Sequence, residues 1–173
     1  MIQLFESVKS AMERGENVVL CSILASSGSA PRGAGAKMAV FQNGQALGTI
    51  GGGAVERIAA QQAVELFRTG ASYCQAFCLA PNQVNDIGMI CGGSVTVYFR
   101  FFDHENARDL ELVKTILELL ASGQDAWLVS RMEDGKITAM GTFDEAHGLR
   151  FAELDETMLR PWLTSSAVYR KGE

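Results

Sequence analysis

Residues 37–70, KMAVFQNGQALGTIGGGAVERIAAQQAVELFRTG, place a hairpin and a helix in direct succession. Two apolar runs flank Asn43-Gly44, a dipeptide typical of tight hairpin turns. Three glycines follow the second run, and the segment after them carries apolar residues at helical spacing as far as Gly70. Because a hairpin and an amphipathic helix adjoin here, this stretch favours an α+β fold over strict strand–helix alternation.

The sequence on either side extends the pattern. Apolar residues at helical spacing predict two further amphipathic helices, and short β-branched or alternating runs predict more strands. The predicted elements outside the first stretch lie at 2–15, 17–25, 73–80, 94–102, 105–123 and 125–143, the last a hairpin around Glu133-Asp134-Gly135. We therefore expect one α+β domain over residues 1–173, with a mixed β-sheet, hairpins and two to three packed amphipathic helices.

The composition limits the classes of function. With 47% hydrophobic and 20% charged residues, the 173-residue chain has the composition of a globular protein with a real core. Its net charge of −5 argues against a nucleic-acid-binding surface. The sequence has no uncharged apolar run of ~18 residues and no secretory signal pattern at its start. We therefore expect a cytoplasmic protein that binds neither membranes nor nucleic acids.

The block GTIGGGAVE, residues 48–56, connects a predicted strand to a predicted helix through Gly51, Gly52 and Gly53. A helix start leaves backbone N–H groups unpaired at its positive end, and glycine allows the φ > 0 geometry that an anion-binding nest requires. The block lacks both the Walker pattern and the spacing of the dinucleotide fingerprint. It predicts contact with a phosphate or another oxyanion, the alternative being a tight turn without a ligand.

The block GSAPRGAGAKM, residues 28–38, contains two cations, Arg32 and Lys37, in an otherwise neutral stretch. Pro31 fixes the backbone next to Arg32, whose guanidinium offers a bidentate fork to phosphate, while Lys37 offers a point charge. The alternative is a solvated loop with incidental charges. Met38 stands where a GxGxxG pattern would need its last glycine, which argues against a Rossmann fingerprint.

The four cysteines stand in different settings. Cys21 lies in an apolar strand and is expected to be a small core residue. The other three would supply thiolates for a zinc ion: Cys74, Cys78 and Cys91. Structural zinc sites have four ligands, and neither His104 nor His147 stands at ligand spacing, so a fourth ligand is not evident.

The block DIGMICGGSV, residues 86–95, sets Cys91 before Gly92 and Gly93, just ahead of a predicted strand. Bare backbone amides beside the sulfur can stabilise a thiolate. A soft thiolate prefers a soft or borderline metal, sulfur or an electrophile. The block therefore predicts that Cys91 presents its sulfur to a bound ligand, which the residues alone do not identify, and the alternative is a thiol enzyme that uses Cys91 for sulfur transfer or redox chemistry.

The three Gly-rich blocks together, in this order and at these separations, resemble the XdhC/CoxI family of accessory proteins for xanthine dehydrogenase and related molybdenum hydroxylases. The resemblance covers roughly the first hundred residues, the N-terminal domain of the family. It implies a cytoplasmic maturation factor that binds the molybdenum cofactor (molybdopterin) as cargo and hands it to an apo molybdenum hydroxylase. A cysteine desulfurase is the implied partner for installing the sulfido ligand, and Cys91 matches the family cysteine linked to holding the cofactor.

The resemblance also suggests roles for the other two Gly-rich blocks. We expect a cofactor chaperone rather than a catalyst, with Gly51, Gly52 and Gly53, together with Arg32 and Lys37, holding the phosphate of molybdopterin. Glu56 follows the glycines as in the family pattern. Larger members continue into a Rossmann-like domain, and no such fingerprint follows residue 100 here. We therefore expect either a short, single-domain member or part of a longer one, and a separate partner that supplies the Rossmann-like domain. A homodimer is a further expectation, independent of this departure.

Overall fold

The structure is a computed structural model, and it describes residues 1–27, 32–78, 94–134 and 136–163. Its helices are α1 (Ile2–Glu13), α2 (Gly53–Thr69), α3 (Ala107–Ser122) and the single-turn α4 (Glu156–Leu159), with a 3₁₀ turn at Arg160–Trp162. Its strands are β1 (Val18–Ser27), β2 (Lys37–Phe41), β3 (Ala46–Gly48), β4 (Tyr73–Cys78), β5 (Ser94–Phe102), β6 (Ala126–Glu133), β7 (Lys136–Asp144) and β8 (Gly148–Arg150).

The strands form one sheet in the order β3-β2-β1-β5-β4-β7-β6, and β8 pairs with β7. The strand pairs between described residues are antiparallel. The hairpin of β2 and β3 turns through Asn43-Gly44, where Gly44 has φ of 81°. The predicted α+β class, with hairpins and packed amphipathic helices, is confirmed, whereas the sheet expected to be mixed is antiparallel in its pairs between described residues.

The helices cover both faces of the sheet, and β1 shows how the sequence divides the core. Val19, Cys21 and Ile23 point into the layer beneath α2, whereas Val18 and Leu20 point into the layer beneath α1 and α3. Each of these side chains is almost completely buried. A strand buried on both faces loses the apolar–polar alternation of a surface strand, which explains the continuous apolar run in the sequence.

Local backbone chemistry fixes the ends of the longer helices. α2 ends where Gly70 adopts a left-handed backbone with φ of 66°, and α3 ends in the same way at Gly123, with φ of 67°. The side chain of Asn106 accepts a hydrogen bond from the N–H of Arg108 and caps α3. Among the described residues, no helix is both long and apolar enough to cross a bilayer.

The elements after β7 carry no periodic pattern in the sequence. β8 has three residues and α4 has four, too few for a hydrophobic period to appear. Side-chain hydrogen bonds hold them instead. The carboxylate of Asp144 accepts from the N–H of His147 and from Arg150, and Glu156 accepts from the N–H of Leu149.

The end of β1, the end of β4 and the start of β5 lie side by side in the sheet, next to the segments that contain parts of the Gly-rich blocks. β1 runs past the end of β2 and pairs there with β5, with Ser27 opposite Ser94. The last residue of β4, Cys78, is also paired with Ser94, from the other side. Segments 28–31 and 79–93 lie outside the described residues, but the strand ends that they join are neighbours in the sheet.

Candidate functional site

The Gly-rich block 48–56 forms the turn from β3 into α2. Ile50 is buried in the core beneath α2 and anchors the turn. Gly51 and Gly52 have φ of 86° and 78°, a region that residues with side chains rarely adopt, and α2 begins at Gly53. The first two glycines are therefore needed for the shape of the turn, whether or not a ligand binds.

Groups of the chain itself occupy the first donor of this turn. The N–H of Gly51 donates to Oγ1 of Thr49 and to Oε1 of Glu56, both at 3.1 Å, and the Thr49 hydroxyl donates to the same Glu56 oxygen. The carboxylate thus lies at the N-terminal end of α2, where the helix dipole stabilises negative charge. Unlike the outward-facing donors expected from the sequence, the N–H of Gly51 is not open to a ligand in this structure.

Arg32 connects the other described Gly-rich block to this turn. Its Cγ and Cβ lie 2.5 and 2.9 Å from the point where a Cβ on Gly51 would stand, so the stem of the arginine packs directly on the glycine backbone. The residue is exposed, and its guanidinium makes no ion pair with the described residues. The absence of a side chain at Gly51 therefore makes room for a cation that is available to a ligand.

Lys37, the first residue of β2, is half-buried. Its Nζ donates to the carbonyl oxygen of Gly35 at 3.3 Å, and its own carbonyl accepts from the N–H of Thr49 at 3.0 Å, which ties β2 to the glycine turn. Burial lowers the pKa of the Lys37 ammonium below its ordinary value. No acidic side chain among the described residues pairs with it. An anion placed beside Lys37 would offset the cost of burying this charge.

Arg32 and Lys37 share a cavity of about 260 Å³ at the end of the sheet, called here the Arg32–Lys37 cavity. Its remaining walls come from the neighbouring turns and from the first turn of α1: Ala36, Gly48, Thr49, Met1 and Leu4. None of the described residues that line it is acidic. The first turn of α1 has neither an acidic residue nor a side-chain cap, so its dipole adds positive potential. The cavity therefore suits an anion.

A larger groove of about 670 Å³ lies between α1 and the hairpin of β2 and β3. Amides, hydroxyls and charges of both signs line it, among them Gln3, Asn43, Gln45, Arg14 and Glu16. None of the residues predicted from the sequence lies in this groove. Its mixed lining favours no particular ligand charge, so the smaller Arg32–Lys37 cavity is the better candidate for an anion site.

Ser22 is a residue that the sequence patterns do not single out. It is 4% exposed, its Oγ has no hydrogen-bond partner among the described residues, and it lies opposite Lys37 in the β1–β2 pair. The available signal in the sequence is a single hydroxyl inside the apolar run 17–25. Such a hydroxyl usually bonds to the backbone, so the pattern alone does not mark a site.

The structure thus brings together part of the predicted site. Arg32 contacts Gly51, Lys37 lines the same cavity as Arg32, and Glu56 is turned inward onto the glycine turn. Gly53 has open space where a Cβ would be. The remaining predicted residues lie outside the described residues: Cys91, Gly92 and Gly93.

The two cysteines with described side chains are not activated thiols. Cys21 is completely buried, and burial raises the pKa of its thiol to about 12. Cys74 is half-buried with its Sγ 3.0 Å from Sδ of Met132, and burial raises its pKa to about 11. Thiols with such pKa values stay protonated and react poorly near neutral pH. The part of the chain that the structure describes holds no cluster of three metal-ligating side chains.

Both histidines make contacts within the fold. Nδ1 of His104 lies 2.7 Å from Oδ1 of Asn17, which joins the end of β5 to the start of β1. Nδ1 of His147 lies 2.8 Å from Oδ1 of Asp144 in the turn between β7 and β8. Neither histidine lines the Arg32–Lys37 cavity, in agreement with the absence of ligand spacing in the sequence.

A known protein family matches the part of the chain that contains Arg32, Lys37 and the glycine turn. Residues 11–77 match the XdhC and CoxI family. The matched range contains Arg32, Lys37 and the whole glycine turn, so the resemblance to this family is confirmed there. Met1 and Leu4 of the cavity and the block with Cys91 lie outside the matched range. No curated protein sequence matches the chain.

The fold is similar to that of a solved structure, a xanthine dehydrogenase from Bacillus halodurans, with a TM-score of 0.69 and 18% sequence identity. The likeness covers 88% of this chain and 45% of that chain. This chain therefore spans less than half the length of the structure that it matches. At this level of identity, the likeness shows that the two proteins share a fold.

Proposed function

We propose that this chain is an accessory factor for xanthine dehydrogenase-type molybdenum hydroxylases, which binds the molybdenum cofactor as cargo for sulfuration and insertion. The contact of Arg32 with Gly51 carries the proposal, because it joins two of the family's Gly-rich blocks at one cationic cavity. The match of residues 11–77 to the XdhC and CoxI family supports it, as does a structural relative named as a xanthine dehydrogenase.

The residues of the cavity fit the phosphate that molybdopterin carries. Arg32 offers a guanidinium fork that makes no ion pair with the described residues, and Lys37 offers an ammonium without a counter-ion among them. Glu56 already holds the N–H of Gly51, and its negative charge would repel a phosphate. We therefore assign Glu56 to shaping the turn, and Arg32 and Lys37 to direct phosphate contact.

Cys91 is the proposed contact to the metal end of the cofactor. It lies outside the described residues, but three peptide units join it to Ser94, and covalent geometry limits their Cα–Cα distance to about 11 Å. Ser94 pairs with Ser27, the strand end from which the chain leads to Arg32. The order of the strands is thus compatible with a cysteine and two cations that serve one ligand.

The bound cofactor would supply the molybdenum centre and its exchangeable sulfido ligand, and the chain would supply binding and protection. This division of roles makes an apo molybdenum hydroxylase and a cysteine desulfurase the proposed partners. A separate Rossmann-domain protein, or a second copy of the chain, is the proposed source of any further surface needed for transfer. The hydroxylase and the desulfurase follow from the family resemblance.

The experiment is co-expression with molybdopterin synthesis, followed by fluorescence of the oxidised pterin released from purified protein. We expect Arg32→Ala to retain about tenfold less pterin than wild type, because a charge-assisted bidentate contact is lost. Arg131→Ala is the matched control, since Arg131 lies on β6 and does not line the cavity. Equal pterin in wild type and Arg32→Ala would remove Arg32 from the site, and no pterin in wild type would refute the function.

A further inference from the structure

The buried hydroxyl of Ser22 has no hydrogen-bond partner among the described residues, although it lies in an otherwise apolar run of β1. It is 4% exposed, and its Oγ makes no hydrogen bond to the described residues. An unpaired buried hydroxyl destabilises a fold, because the group has lost its water without gaining an acceptor or donor. Such a group is explained if its partner is a bound molecule that enters beside the described residues.

Ser22 stands directly opposite Lys37 in the antiparallel pair of β1 and β2. The next residue, Ile23, exchanges backbone hydrogen bonds with Ala36 and Gly35, so Ser22 and Lys37 form the neighbouring non-hydrogen-bonded pair. Side chains at such pairs approach each other most closely, with Cβ atoms about 4.5–5.5 Å apart. The hydroxyl therefore lies beside the lysine that lines the cavity, while Ser22 itself is not among the residues that line it in the unbound chain.

The two side chains also leave the sheet on the side of the cavity. Val18 and Leu20 of β1 face the layer beneath α1, and Ser22 shares their alternation along the strand. Leu4 belongs to the same layer and lines the Arg32–Lys37 cavity. An oxyanion drawn toward Nζ of Lys37 would thus arrive on the face that carries the Ser22 hydroxyl.

Resting on the proposed function, we infer that Ser22 is a third donor of the site: when a phosphate monoester enters the Arg32–Lys37 cavity, Nζ of Lys37 moves from the Gly35 carbonyl to a phosphate oxygen, and Oγ of Ser22 donates to the same phosphate. The anion then supplies both missing partners, a negative charge for Lys37 and an acceptor for Ser22. A cofactor phosphate and free inorganic phosphate share this chemistry.

The competing explanation is that the fold merely tolerates the unpaired hydroxyl. The two explanations differ in the phosphate affinity that they predict for Ser22→Ala. If the hydroxyl serves a ligand, its removal raises the stability of the unbound fold, because an unpaired buried hydroxyl is lost. The same change lowers the affinity for phosphate. If the hydroxyl is only tolerated, stability changes in the same way and affinity stays constant.

A matched control is available in Thr142 on β7, which is 1% exposed and also has an Oγ1 without a partner among the described residues. Inorganic phosphate and phenyl phosphate are titrated into the full chain by calorimetry, with urea unfolding measured in parallel. We expect Ser22→Ala to bind the probe about tenfold more weakly than wild type, at unchanged or higher stability. Thr142→Val should bind as wild type does.

Tighter wild-type binding of phenyl phosphate identifies a monoester site, and tighter binding of inorganic phosphate identifies free phosphate as the occupant. Equal affinity of wild type and Ser22→Ala for both probes would overturn the inference, as would a wild-type chain that binds neither probe. Pterin retention is a separate readout. A chain that shows the Ser22 effect on phosphate yet retains no pterin would refute the proposed function and leave the phosphate site standing.

Discussion

Lys37 is a single residue whose burial favours the binding of an anion. Its ammonium is half-buried, and its partner among the described residues is a neutral carbonyl, that of Gly35. Desolvation disfavours the charged form, so the pKa of Lys37 lies below its ordinary value. The fold thus bears a cost that an anion beside Nζ would offset, and this cost is open to measurement through its pH dependence.

We predict that the free energy of unfolding of the wild type rises with pH, relative to Lys37→Met, as the pH passes from the lowered folded-state pKa up to the unfolded value of about 10.4. In this window the unfolded chain binds the lysine proton more tightly than the folded chain does, so raising the pH favours the folded state. Below the window, where both states are protonated, the full cost of burial remains. Urea unfolding of both proteins at several alkaline pH values measures the difference.

Methionine is the suitable control at this position, because it keeps an unbranched apolar stem of similar size without a titratable group. The other ionisable groups are common to both proteins and cancel in the difference. A difference that stays constant throughout the alkaline range would show that Lys37 titrates alike in both states, and would remove the argument that its burial favours an anion.

Among the elements, the turn from β3 into α2 has the most demanding backbone. Two consecutive glycines with positive φ precede the helix, and the stem of Arg32 fills the space beside Gly51. Thr49 and Glu56 close the turn with hydrogen bonds to the Gly51 N–H. The same few residues therefore start a helix, end a hairpin and position a cation.

We predict that Gly51→Ala lowers the free energy of unfolding by about 1–2 kcal/mol, because a residue with a Cβ is strained at positive φ. The new Cβ would also lie 2.5 Å from Cγ of Arg32, so the arginine must move and phosphate binding should weaken. Urea unfolding and phosphate titration measure the two effects.

Gly53→Ala is the control within the same turn, since nothing lies within 4 Å of a Cβ at that position. Alanine restricts the unfolded chain more than glycine does, and it should leave stability equal or slightly higher. If Gly51→Ala were as stable as Gly53→Ala, the geometry assigned to the turn would be wrong.

The regular elements could be predicted from the sequence because their signals are local and periodic. The hairpin of β2 and β3 follows from Asn43-Gly44 between apolar runs, and the ends of α2 and α3 follow from Gly70 and Gly123. β8 and α4 could not be predicted, because they depend on hydrogen bonds that the carboxylates of Asp144 and Glu156 accept in the folded chain. Such bonds leave no periodic pattern in the sequence.

The candidate site was predictable only in part. The composition of its Gly-rich blocks marked Arg32, Lys37 and the glycine turn, but the contact between the blocks depends on how β1, β2 and β3 pair. Ser22 could not be found from the sequence, since its significance arises from the register that places it opposite Lys37. The inward position of Glu56 is likewise a property of the folded turn.

The sheet brings segments that are distant in sequence to the same end of its central strands. The chain has a net charge of −5, yet the described residues that line the Arg32–Lys37 cavity include two cations and no acid. Ser27, Cys78 and Ser94 lie side by side at the strand ends, where the chain enters and leaves segments 28–31 and 79–93. We propose that these segments and the Arg32–Lys37 cavity together serve one cofactor.

The most direct test of this claim is the pterin content of Cys91→Ala after co-expression with molybdopterin synthesis, with Cys74→Ala as the control. Cys74 is a half-buried thiol with a pKa raised to about 11, and its sulfur contacts Met132 rather than the cavity. We predict that Cys91→Ala retains at least about tenfold less pterin than wild type, whereas Cys74→Ala retains a normal amount. Equal retention by wild type and Cys91→Ala would contradict the claim.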